Sequence, residues 1–380
     1  MGLTGVDPTG PIARRFPLIA RLRPACTPLH QRVADLCARA RAADQDTDTG
    51  EASAVFNLSA LLASDIGLPD LARTWCHRHA NVYLCARPLG AQAARRALEP
   101  LVNLARLHIR NGDGDHAFTL IETLFTAVSP RTDTTIDGID IPAATLTPLE
   151  AHHDVRKWLW AVLLATGSRA LAVSGRWNDA HAQLLRYNGI GRRIFDGRQV
   201  AVLARATAGD YAEALDLLET TAPGEPWENA VTACLSALCR RHAHQAPDQD
   251  LATLLDHYEH LDHVPGLAVF HTRLGLSAID AAGGIDHPTA RRIATSLINR
   301  HTTAASDGYT ARDLLGHNDC AGLLTQREAR DLTDLVKACA LETRDLPAPL
   351  RHGLTVALDS SERVLTRTLT DHPFRSDPVS

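Results

Sequence analysis

The chain has 380 residues, 45% of them apolar, 4% aromatic and 22% charged, and a net charge of −5. An acidic balance without a concentrated basic segment excludes the electrostatic footprint of a nucleic-acid binder, and no run approaches the roughly 18 consecutive apolar residues of a membrane span. Eight cysteines without a Cys-x-x-Cys pair exclude the common zinc and redox motifs.

These features predict a reduced, cytoplasmic protein with no membrane or nucleic-acid partner, no cofactor and no metal. The apolar residues are largely Ala and Leu, which favour closely packed helices over sheets.

In chain order, residues 1–28 hold five prolines and three glycines and read as an irregular arm. Apolar helical stretches follow from 29 to 240. They are broken at residues 129–150 by an insertion rich in Thr, Asp and Pro, where Thr135–Asp140 reads as a short hairpin because Asp137-Gly138 suits a type I′ turn. Less regular helices occupy 241–372, interrupted at Pro265-Gly266 and Gly283-Gly284. Thr325 and Glu328 form a capping-box pattern there, and 373–380 reads as a loose tail.

Four segments share a glycine with an alanine five positions later: Gly67/Ala72, Gly112/Ala117, Gly175/Ala180 and Gly209/Ala214. Each follows one helical stretch and begins another. A glycine suits a left-handed helix C-cap, and a small alanine lets the second helix approach the first. Gly175 and Gly209 stand 34 residues apart, and Trp177 and Tyr211 each lie two residues beyond their glycine.

Here the chain resembles the tetratricopeptide-repeat family, most clearly over 165–240 and more loosely over 50–125, where Pro69 and Gly114 replace the aromatic. The resemblance implies an all-α fold of tandem antiparallel helix hairpins in a right-handed α-solenoid, with one long insertion. It also implies that Asn57, Arg106, Arg110, Arg169 and Gln199, on the first helices of the hairpins, line a concave binding face. Arginines there would suit an acidic or phosphorylated partner.

Other candidates come from the residues themselves. Gly189-Ile-Gly191-Arg192-Arg193, followed by Gly197-Arg198, could cradle an anion on backbone N–H groups and guanidinium forks, although it is also a turn into a helix. His152 and His153, where the insertion meets a helix, are candidate acid/base groups, and Trp160 is a candidate aromatic contact. The histidines near Cys76 and those at 257–263 lack the spacing of a tetrahedral ligand set and read as helix-surface residues.

The expected function is a non-catalytic scaffold for a peptide or protein. The alternatives are a metal-independent peptide-modifying enzyme of lyase or cyclase type that grips its substrate in the groove, and a ligand-sensing regulator.

Overall fold

The computed structural model describes residues 5–262, 264, 266–303 and 307–371; the expected tail and the break at Pro265 lie outside them. Within the described residues the fold is all-α apart from one two-stranded hairpin. Helix α1 covers Pro11–Arg15, α2 Leu29–Asp46, α3 Thr49–Asp65, α4 Pro69–Leu84, α5 Ala91–Arg110 and α6 Gly114–Val128. Strands β1 (Thr134–Ile136) and β2 (Ile139–Ile141) follow. Then come α7 (Leu149–Val162) and α8 (Ser168–Val173), joined by one π-helical turn at Leu163–Gly167. The chain continues through α9 (Trp177–Arg186), α10 (Asp196–Thr207), α11 (Tyr211–Glu219), α12 (Pro226–His242) and α13 (Asp248–Glu259). The later helices are α14 (Ala268–Ala282), α15 (Pro288–Thr303), α16 (Gly308–Leu315), α17 (Asn318–Leu323), α18 (Gln326–Ala338) and α19 (Ala348–Asp371).

The four repeat glycines lie between α3 and α4, α5 and α6, α8 and α9, and α10 and α11. Their φ angles are 81, 79, 72 and 82°, a left-handed conformation that disfavours any residue with a Cβ. The turns close alike. Gly112 N–H donates to the Ile109 carbonyl at 3.2 Å and Asp113 N–H to the His108 carbonyl at 2.9 Å, and the same bond pair recurs at Gly67, Gly175 and Gly209. This is the Schellman arrangement, which satisfies carbonyls that the helix end leaves open. Asp113 and Asp210 then cap the following helices, accepting from His116 and Glu213 N–H at 3.2 and 3.3 Å.

A methyl group added at Gly112 would meet nothing within 4 Å. The backbone alone therefore sets the expected effect of Gly112→Ala, a loss of about 1 kcal/mol. Chemical denaturation measures it, and an unchanged midpoint would show that the turn does not depend on the left-handed residue.

By contact the chain forms two compact units. One comprises the described parts of Met1–Pro28 and Leu171–Cys339, the other those of Leu29–Ala170 and Ala340–Ser380. In the first, α9 to α14 pack in chain order. The arm carries one short helix, α1, and is closely packed: Phe16, Leu18 and Cys26 are buried. Val6 N–H donates to the Ala206 carbonyl at 3.3 Å, and the Trp177 indole N–H to the Pro8 carbonyl at 2.9 Å. Trp177 and Tyr211 are both core residues.

In the second unit, α2 to α6 pack each against the next, and α19 lies on α2, α3 and α4. The hairpin of the insertion forms with Thr135 opposite Asp140 and Ile136 opposite Ile139. Its tip is pinned to α4. Arg73 donates twice to Asp137, at 2.7 and 2.8 Å, and His77 Nε2 lies 2.7 Å from the same carboxylate. Burial opposes ionisation of Asp137, but these two partners hold its pKa below the ordinary carboxylate value.

Candidate functional site

Helix α5 sets four arginines, at 95, 96, 106 and 110, against one acid, Glu99. That local excess of positive charge stands out in a chain of net charge −5. Residues three and four apart share a helix face, so Glu99, Asn103, Arg106 and Arg110 form one row along α5. Helix α3 packs alongside and contributes Asn57.

A continuous polar ladder results. Arg106 donates to Asn103 Oδ1 at 2.8 Å, Asn103 Nδ2 to Asn57 Oδ1 at 3.0 Å, and Asn57 Nδ2 to Glu99 Oε2 at 3.0 Å. Asn57 and Asn103 are half-buried and Arg106 is exposed. The ladder thus fixes both amides and presents a guanidinium at one end. At the next turn Arg110 reaches back to α3, donating to Ser64 Oγ at 3.0 Å and to buried Asp65 at 2.6 Å. Asp65 also receives Arg32 of α2 at 2.6 Å, so one carboxylate ties three helices.

The structure therefore brings Asn57, Arg106 and Arg110 onto one α3/α5 face. Trp160 is exposed on α7 and Arg169 is half-buried on α8. Gln199 is different. Expected on a concave surface, it is fully buried, accepts from Leu18 N–H at 2.7 Å, and donates to the Leu18 and Ile194 carbonyls at 2.8 and 2.7 Å. A buried amide needs its partners, and those that the arm supplies leave Gln199 no exposed surface.

The glycine–arginine stretch has similar internal attachments. Arg198 is buried and ties down the end of α11, donating to the Leu217 carbonyl at 2.6 Å, Thr220 at 2.8 Å and Thr221 at 2.9 Å. Arg193 forms an ion pair with buried Glu228 and lies 4.8 Å over the Phe195 ring. Burial opposes the ionisation of Glu228, yet Arg193 and the Glu225 N–H hold its pKa down. Gly197 is glycine because a Cβ there would stand 2.1 Å from the Gly189 carbonyl oxygen. Its role is close backbone approach. Arg192 is exposed.

His152 Nε2 lies 3.0 Å from the Ser129 carbonyl, holding the insertion to α7, and His153 is exposed. Burial raises the thiols of Cys76, Cys234, Cys239 and Cys320 to about 12, which leaves them without appreciable thiolate at neutral pH.

Sequence reasoning missed Glu99 and Asn103, although the steps of four residues from Glu99 to Asn103 and three from Asn103 to Arg106 were available. It also missed a group that forms only across a turn: His108, Asp113 and His116, whose ligand atoms lie within 4.8 Å of one another. No protein-family model, curated protein or solved structure matches the chain.

Proposed function

We propose that this protein is a tetratricopeptide-like, non-catalytic scaffold that holds an acidic or phosphorylated peptide or protein segment on the α3/α5 face, in the cytoplasm. The polar ladder from Glu99 to Arg106 carries the reading. Half-buried amides with fixed orientation beside an exposed guanidinium suit an extended chain that offers backbone polar groups and a negative side chain. The four equivalent glycine turns support the repeat reading, because stacked hairpins bury faces that no single hairpin could bury alone.

The enzymatic alternative draws less support. His152 is engaged by a backbone carbonyl and Arg193 by Glu228. No observation favours a ligand-sensing regulator.

An array of acidic and phosphorylated peptides probed with the full chain tests the scaffold. Retention should fall about tenfold on Arg106→Glu, the equivalent of ~1.4 kcal/mol, with the melting temperature unchanged. Retention indifferent to that change, or no retained peptide at all, would end the proposal.

A further inference from the structure

We propose that His108, Asp113 and His116 form a binding site for a divalent transition cation of the zinc type at the turn between α5 and α6. His108 lies in the last turn of α5, Asp113 caps α6, and His116 lies in its first turn. The imidazole rings stack with centroids 4.1 Å apart and planes 19° from parallel. His108 Nδ1 is 3.4 Å from Asp113 Oδ2, while Oδ1 of the same carboxylate accepts the His116 N–H.

The fold itself provides a control. The turn at Gly209 has the same backbone bonds and the same aspartate cap. There the residues four before and four after the glycine are Arg205 and Glu213, and they meet as an ion pair at 3.2 Å. Proximity across the turn is thus a property of the hairpin, and at Gly209 opposite charges use it. At Gly112 the same two positions hold two stacked histidines, which have no opposite charges to pair and offer ring nitrogens to a shared cation. Two imidazoles and a carboxylate form a donor set for zinc and its neighbours, whereas hard cations prefer oxygen alone.

With bonds of ~2.1 Å, a tetrahedral zinc needs ligand atoms about 3.4 Å apart. The triad must therefore close by a little over an ångström. His116 and Asp113 are exposed and His108 half-buried, so side-chain rotation can supply that movement while the turn stays fixed. Three protein ligands leave a fourth position open.

The test uses the full chain, stripped with chelator and titrated with Zn²⁺ by calorimetry at neutral pH. One equivalent should bind at micromolar affinity, and equimolar Mg²⁺ should not compete. His108→Gln and His116→Gln should each weaken binding at least tenfold. Asp113→Asn is the finer probe: asparagine caps a helix as well as aspartate does, so affinity should fall while the melting temperature of the metal-free protein holds. Binding that persists in the His108→Gln/His116→Gln double variant belongs to other groups, such as exposed Cys85, and overturns the site. Absence of micromolar binding overturns it equally, leaving the histidines as a pair that shares at most a proton.

Discussion

Asp65→Ala should destabilise the unit that contains it by about 3 kcal/mol. The carboxylate is 1% exposed and lies between Arg32, 11% exposed, and Arg110, 41% exposed. Breaking a buried ion pair from one side typically costs ~3–5 kcal/mol, because the remaining charge keeps its desolvation penalty and loses the compensating attraction. Partial hydration of Arg110 places the expectation at the low end of that range. Arg110→Ala removes only the wetter partner and should cost less, about 1 kcal/mol. Urea midpoints for the two variants would check the order. If Asp65→Ala costs no more than Arg110→Ala, the carboxylate is not the tie that joins α2, α3 and α5.

The second large effect is on pH. His79 is fully buried in α4, stacked on Phe56 with ring centroids 4.9 Å apart, and no group among the described residues hydrogen-bonds its Nε2. Burial, and then the charge of Arg96, lower its pKa from 6.5 to about 3. A lowered pKa on a base means that the unfolded chain binds the proton first. The linked penalty is therefore absent well above pH 6.5 and grows as pH falls from 6.5 toward 3. At pH 5 the difference of 1.5 units amounts to about 2 kcal/mol. The Asp137 carboxyl, held below its ordinary value, titrates below pH 5, so His79→Phe should flatten the acid loss of its unit between pH 7 and pH 5. Parallel stability curves for variant and wild type would sink the assignment. His301, in the other unit, is lowered to about 4 for the same first reason, burial, and should give that unit its own acid sensitivity.

How much of this could be read beforehand depends on the range of the interaction. The glycine turns, the hairpin at Asp137-Gly138 and the Thr325/Glu328 cap are local. Each is decided by a few neighbouring residues whose conformational preferences agree with the fold. The contacts that define the candidate sites join distant positions. Asp137 meets His77 across sixty residues, and Gln199 meets Leu18 across 181. No spacing rule reports those. The Gln199 expectation failed because a position inferred to face a groove was covered by the arm, whose prolines signalled irregularity but not burial. His108 and His116 were within reach: aligning the repeats on Gly112 and Gly209 pairs them with Arg205 and Glu213, residues of obvious complementarity.

The placement of α19 has a consequence for how the molecule is made. Its Leu354, Leu358 and Leu365 are fully buried, and it packs on α2, α3 and α4, which are translated far earlier. A ribosome adding about 5–20 residues per second needs on the order of 10–30 s to cover the intervening Leu171–Cys339. For that interval the first helices are out of the exit tunnel with the face that α19 will cover still wet. The nascent chain carries an exposed apolar strip until the last helix arrives, and a chaperone that binds such strips would have its longest opportunity there.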